Sequence, residues 1–153
     1  MRSASSSGPD SVIRGHPRAR RKRWEIDGCI SAESAAVAIV LADDTVVGIA
    51  GWRPRGFPSG VTYEIGVGVL PEHRGQGVGT AAQKLLVDYL FGRTTANRIE
   101  ALTNGGNLGE QKALERLGFC REGVMRGRSF QHGAYVDVLV YGLLRTEHRP
   151  GTP

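Results

Sequence analysis

The stretch HRGQGVGTAAQKLL, His73 to Leu86, sets Gly75, Gly77 and Gly79 at alternate positions and then runs into an amphipathic segment. A strand that feeds a glycine-rich turn opening a helix aims several backbone N–H groups and the positive end of the helix dipole at one point, which makes an anion site. Spacing narrows the choice of anion. The phosphate loop of nucleotide hydrolases ends in Gly-Lys-Ser/Thr, whereas Gly79 is followed by Thr80 and Ala81 with no lysine. The dinucleotide fingerprint needs G-x-G-x-x-G and an acidic residue about twenty positions further on to hold a ribose, and the run here is G-x-G-x-G without that acid. Upstream, VTYEIGVGVL (61–70) alternates, with Tyr63, Ile65, Val67 and Val69 on one face and Thr62, Glu64, Gly66 and Gly68 on the other. Two glycines on one side of a strand mark either a bulge or a place where another backbone or a ligand comes close. Downstream, Asn107 and Glu110 have the spacing of a capping box at a helix start.

These residues need elements that deliver a strand, a turn and a helix in that order. AVAIVL (36–41) and VVGIAGW (46–52) flank ADDT and predict a hairpin, and RPRGFPSG (53–60) concentrates Pro and Gly as a loop. After the glycine turn, Val78, Ala81, Ala82, Leu85, Leu86, Tyr89 and Leu90 follow the i, i+3, i+4, i+7 rule of a core-facing stripe. RIEALT (98–103) is the next strand, and the long crossover makes it parallel to 61–70. A second helix runs from Leu108 to Leu117 with Ala113, Leu114 and Leu117 inward and Gly118 as the C′ residue. CREGVMRGRSF and AYVDVLVYGLL flank QHG as a closing hairpin. The order β-β-β-α-β-α-β-β specifies an α/β fold with a mixed sheet and a central strand, turn and helix.

Composition sets the frame. At 153 residues and 40% apolar, the chain suits one domain. Of its twenty Lys and Arg, seven lie in residues 1–23 against the single acid Asp10, which leaves 13 basic and 14 acidic residues in 24–153. The basicity therefore belongs to an arm (1–23) that reads as a solvated, disordered tail rather than a transit peptide or a nucleic-acid patch, followed by one domain (24–147) and a short tail (148–153). Cys29 and Cys120 lack metal-ligand spacing and read as reduced core or near-core thiols of a cytoplasmic protein, with no metal site. No apolar run suits a secretory signal or a membrane span.

Arg74-x-x-Gly77-x-Gly79 resembles the acyl-coenzyme A signature of the GNAT superfamily of N-acyltransferases. The segments YEIGVGVLPEHRGQGVGTAAQKLLVDYLF, RIEALTNGGN, ALERLGF, EGVMR and GAYVDVLVYGLL, spanning 36–145, are similar to the Rim-type branch, which acetylates protein amino termini and small amines. The resemblance implies acetyl-CoA as donor, with the backbone of Val67, Gly68 and Val69 on the pantetheine. The turn from Arg74 through Gly75, Gln76, Gly77, Val78 and Gly79 to Thr80 would hold the pyrophosphate, and Asn107 would reach the pantetheine from the other side. The acceptor it implies is an amine, which is protonated at neutral pH and must lose a proton before it attacks a thioester. Glu64, on the glycine face of the cofactor strand, is the candidate base, with an ion pair to Arg53 or Arg55 as its alternative reading.

Two departures from the branch stand out. Where the branch often has Ser three residues after the asparagine, close to the thioester sulfur, this chain has Glu110, and the tyrosine some relatives carry seven positions after it is Leu114. That leaves the departing thiolate to be protonated by water or by a residue the sequence does not place, with Tyr135 as one candidate. The patterned sequence before Val37 is short, so the acceptor side is either open or completed by another subunit, as in a homodimer. Two other functions fit parts of the sequence: a non-catalytic acyl-CoA-binding module, and a ribosome- or RNA-associated protein using the basic arm.

Overall fold

The computed structural model describes residues 35–57 and 60–151; the arm 1–23 and Cys29 lie outside the described residues. The chain runs β1 (Ala35–Val40), β2 (Val46–Phe57), β3 (Gly60–Val69), a 3-10 turn (Pro71–His73), α1 (Val78–Arg93), β4 (Arg98–Asn104), α2 (Leu108–Arg116), β5 (Cys120–Gln131) and β6 (Ala134–Leu144). This is the expected element order. The six strands form one sheet, β1-β2-β3-β4-β6-β5. Only the β3–β4 pair is parallel, as the crossover through α1 requires; the other pairs are antiparallel.

Residues 53–57 are strand, where Pro and Gly predicted a loop. Pairing with β3 carries β2 on to Phe57, so that Arg53 lies opposite Glu64, Pro54 opposite Tyr63 and Arg55 opposite Thr62. Among the described residues β1 ends at Ala35 opposite Trp52, so none of them pairs with Pro54 on the side away from β3, where its missing N–H would break a ladder.

Tyr63, Ile65, Ile99, Ala101, Leu139, Tyr141 and Leu143 present one face of the sheet to Leu86, Val87, Leu90 and Phe91 of α1 and Leu114 of α2, forming the core. Leu90 has no exposed surface, and truncating it to Ala removes about 2–5 kcal/mol of stability. The buried stripe of α1 is Gln83, Leu86, Val87, Leu90 and Phe91, rotated from the expected one. Leu85 and Tyr89 are 70% and 50% exposed. With Val37, Ile39, Trp52 and Ala81 they line an open apolar groove, in which the Trp52 and Tyr89 rings stand 5.5 Å apart. α1 packs mainly over β3 with its buried flank, while its second apolar flank overlooks β1 and β2.

The end of α2 follows the expected device. Gly118 has φ +89°, its N–H donates to the Glu115 carbonyl at 3.0 Å, and the Phe119 N–H donates to that of Leu114 at 3.0 Å, a Schellman closure that drives Phe119 into the core. Cys120, the next residue, is exposed rather than core, because β5 forms the sheet edge. At the same end of the domain, Arg145 donates to the carbonyls of Phe91, Thr94 and Ala96, each at 2.7 Å, and the His148 ring packs 5.0 Å from that of Phe91. Among the described residues no helix is long and apolar enough to cross a membrane.

Candidate active site

β3 and β4 pair only where Thr62 to Ile65 face Arg98 to Ala101. Beyond that point each strand bonds to its outer neighbour alone: Gly66 to Val69 pair with β2, and Leu102 to Asn104 pair with β6. The two strands therefore splay, and two backbone edges face each other across a gap, their N–H and C=O groups unmatched by the partner strand. Register along β2–β3 is continuous, so Gly66 and Gly68 mark no bulge. The chain itself does not demand glycine at either place, since a Cβ at Gly66 meets nothing within 4 Å and one at Gly68 meets Ile49 Cγ2 at an ordinary 3.6 Å.

The glycine turn lies at the mouth of this gap. Gly75 and Gly77 have φ of +73° and +82°, which side chains disfavour, and Gly77 is the N-cap of α1 with no side-chain cap. The first N–H groups of α1, from Val78, Gly79 and Thr80, have no intrahelical acceptor and lie at the positive end of the helix dipole. Arg74 folds back on the strand, its Nε donating to the Val69 carbonyl at 2.8 Å, and Gln76 Nε2 donates to the Glu72 carbonyl at 3.2 Å. All the residues from Val67 to Thr80 singled out in the sequence thus fall on one strand edge and one turn.

The opposite wall is the start of α2. Asn107 Oδ1 accepts from the Glu110 N–H at 3.2 Å, so the N-cap half of the capping box forms. Its reciprocal half does not, for the Asn107 N–H donates to the Asn104 carbonyl instead. The Glu110 carboxyl turns to α1 and accepts a hydrogen bond from Gln83 Nε2, bridging the two helices. Gln83 is only 1% exposed, and its Oε1 has no hydrogen-bond partner among the described residues. Burial raises the Glu110 carboxyl above its ordinary value, against a smaller lowering by the Gln83 amide.

Glu64 lies on the sheet face away from the helices, its side chain 11% exposed and held between two guanidiniums. Arg53 Nε donates to Oε1 at 3.1 Å, and Arg55 takes Oε2. Both arginines come from the part of β2 that the sequence presented as a loop. The neighbouring acids are also paired: Arg98 Nε donates to Glu100 at 2.8 Å and its Nη1 to Glu122 at 2.7 Å, which holds the Glu122 carboxyl below its usual range. Tyr135 stands apart from this cluster. It is 74% exposed in the β5–β6 hairpin, edge-on to Phe130 with centroids 5.1 Å apart. Glu64 aligns with Glu100 and Glu100 with Gly142. Gly142 lies seven strand positions from Tyr135, on the order of 23 Å. The structure does not bring the two proposed catalytic side chains together.

Sequence reasoning passed over Gln83, the polar residue of the buried stripe. The signal was a glutamine three and four positions before Leu86 and Val87, on the same side of the helix.

The profile of the acetyltransferase (GNAT) family matches residues 6–119, a span that includes most of the basic arm. The protein named uncharacterized N-acetyltransferase p20 of Bacillus licheniformis is 34% identical over 110 residues, 72% of this chain and 61% of that protein. The chain spans roughly half the length of the curated relatives it matches, from 41% to 61% of each. Among solved structures, spermidine N-acetyltransferase from Vibrio cholerae in complex with CoA and spermine superposes with a TM-score of 0.73 at 20% identity, over 85% of this chain and 73% of that one. The ribosomal-protein-S5-alanine acetyltransferase of Vibrio fischeri gives 0.69 at 19% identity, over 86% and 70%. At these identities the likeness is one of fold, and it agrees with the mixed sheet described above. The chain belongs to the GNAT acetyltransferase family.

Proposed function

We propose that the protein is an acetyl-CoA-dependent N-acetyltransferase in which a primary amine attacks the thioester directly in a ternary complex. The observation that carries this reading is the gap between β3 and β4 opening beside the bare amides of α1. Pantetheine is an extended arm with amides of its own, and it suits an unmatched strand edge at Val67, Gly68 and Val69 as an added strand. The pyrophosphate suits the amides from Gly75 to Thr80. Asn107 caps α2 with Oδ1, which leaves its Nδ2 donor for a pantetheine carbonyl.

The amine arrives from the glycine face, where Glu64 is the nearest candidate to take its proton. Guanidiniums occupy both Glu64 oxygens, so that proton travels through water or after one arginine swings aside. Arg53 and Arg55 side chains are 61% and 45% exposed and have room to do so.

The same ion pairs bear on the acceptor. Recognition of a polycationic amine uses unpaired carboxylates, whereas Glu64, Glu100 and Glu122 are each committed to arginine. A peptide N-terminus, as in the Rim-type branch, fits this balance better than spermidine. A screen of N-terminal Ala and Ser peptides beside spermidine, followed by free-thiol release from acetyl-CoA, tests the reading. Peptide turnover supports it, turnover of spermidine alone overturns the acceptor class, and acetyl-CoA binding with no turnover of any amine would make the chain a non-catalytic acyl-CoA-binding module.

A further inference from the structure

We propose that Glu110, held by Gln83, is the acid that delivers a proton to the departing thiolate. This rests on the acetyltransferase reading above and adds to it the group the sequence left unplaced.

Three observations converge on the pair. The first is position: Glu110 is in the first turn of α2 and Gln83 in the second turn of α1, so their contact bridges the two helices that flank the gap between β3 and β4. On the acetyltransferase reading, an arm lying along Val67 to Val69 passes between the starts of these two helices, on the side where the bridge lies. The second is the unpartnered Gln83 Oε1, an amide oxygen of a side chain 1% exposed. A buried amide oxygen without a donor is uncommon in folded proteins. A primary amide beside a carboxylic acid resolves it by closing a ring of two hydrogen bonds: Nε2–H donates to the Glu110 carbonyl oxygen, and the Glu110 O–H donates to Oε1. That ring needs the carboxyl to carry its proton. The third is that, among the described residues, no neighbouring cation draws the proton off. Lys84 of α1 is turned to Asp88 at 3.1 Å, Glu115 of α2 to the Tyr141 hydroxyl at 3.1 Å, and Lys112 of α2 is exposed. What acts on the Glu110 carboxyl is burial, which favours the protonated form, and the Gln83 amide.

The step balances without a further reagent. The amine nitrogen bonds to the acetyl carbon and loses a proton to water or, through water, to Glu64. The carbon–sulfur bond breaks with its electron pair on sulfur, the Glu110 O–H bond breaks, and a sulfur–hydrogen bond forms. Glu110 regains a proton from solvent, and the sum is amine plus thioester giving amide plus thiol.

The test uses the full chain and two readouts. The first needs no turnover: the thiol of bound CoA is titrated by its thiolate absorbance in wild type and Glu110→Gln. If carboxyl and sulfur are in contact, a like charge opposes the thiolate in wild type at alkaline pH and is missing in the variant, so the bound thiol ionises at lower pH in Glu110→Gln. Superimposable titrations overturn the proposal. The second readout is kinetic. Loss of the acid lowers kcat by about 10²–10⁴ while the acetyl-CoA KM holds within a few-fold, and it abolishes the fall in rate on the alkaline side. A variant within a few-fold of wild type, its alkaline limb intact, likewise overturns it. Gln83→Leu should leave CoA bound and move the thiol titration in the same direction as Glu110→Gln, which separates a local effect from misfolding. Failure of every amine to react would remove the acetyltransferase reading, and with it the kinetic arm, while the thiol titration would still decide whether Glu110 meets the sulfur. A wild type that binds no CoA would overturn both.

Discussion

The two helices that open onto the gap between β3 and β4 begin in opposite ways. α1 starts on Gly77 in a left-handed conformation with no side chain closing its amides, while α2 starts on Asn107, whose Oδ1 accepts from the Glu110 N–H at 3.2 Å. A side-chain cap contributes roughly 0.5–2 kcal/mol, so a helix start without one forgoes stability unless something else meets the amides. The difference separates two roles that the sequence pattern alone blurs. The start of α1 is kept open, and it suits an anion; the start of α2 satisfies itself and serves as a wall.

Charge placed at the open start should break the comparison most severely. Gly79→Glu is expected to abolish measurable acetyl-CoA binding, because a carboxylate against phosphate costs several kcal/mol, or roughly 10²–10³-fold in affinity. Gly79→Ala is its control: the Cβ would meet Val69 Cγ2 at 3.5 Å, ordinary contact, so size alone does little harm. Gly77→Glu adds backbone strain at φ +82° to the same repulsion. Calorimetric titration with acetyl-CoA reads all three, and retained affinity in both Glu variants would remove the turn from the site.

Glu64→Gln tests the side of the gap away from both helices. A base acting through water predicts a fall in kcat of about 10²–10⁴ with acetyl-CoA affinity retained. A variant within a few-fold of wild type would leave Glu64 as the anchor of Arg53 and Arg55 and nothing more.

What was legible and what was not divide along the same line. The glycine turn, the Schellman end of α2 at Gly118 and the alternation of β3 are local patterns, set by the conformational freedom of glycine and by side-chain period, and each appears in the structure where the residues placed it. The features that define the gap are non-local. β3 and β4 stop pairing after Ile65 and Ala101 while each goes on pairing with its outer neighbour, β2 or β6, and no run of residues encodes that. Residues 53–57 looked like a loop until pairing with β3 carried them on as strand, which is also what sets Arg53 and Arg55 beside Glu64. The α1 stripe was drawn from apolar residues, whereas the helix buries the glutamine that meets Glu110 and exposes Leu85. Tertiary contacts decided each of these.

Asn107→Ala is a finer probe of the wall. Losing the cap is expected to lower stability by about 1 kcal/mol, a melting shift of roughly 2–4 °C for a domain of this size. If Nδ2 also holds pantetheine, the acetyl-CoA KM rises about 2–10-fold, the value of one hydrogen bond. Melting and KM measured on the same sample keep the two effects apart, and a loss confined to melting would restrict Asn107 to the cap.

The smallest expected effect lies in the pH dependence of stability at Glu110, and its sign is diagnostic. Burial raises the carboxyl in the folded state, so over the window from the ordinary glutamate value of about 4.5 up to the raised folded value the native state binds more protons than the unfolded chain. Stability contributed by this group is therefore full below that window and is lost as pH rises through it, the reverse of a salt-bridged carboxylate. Gln83 limits the loss by donating to whichever form is present. Glu110→Gln keeps the shape and the contact with Gln83 but cannot ionise, so its denaturation midpoint should match or trail wild type at pH 4 and gain on it by pH 8. A variant that instead loses ground as pH rises would show that the folded protein prefers the carboxylate. The wall at α2 would then be a charged one, and the proton assigned to Glu110 would have to come from elsewhere.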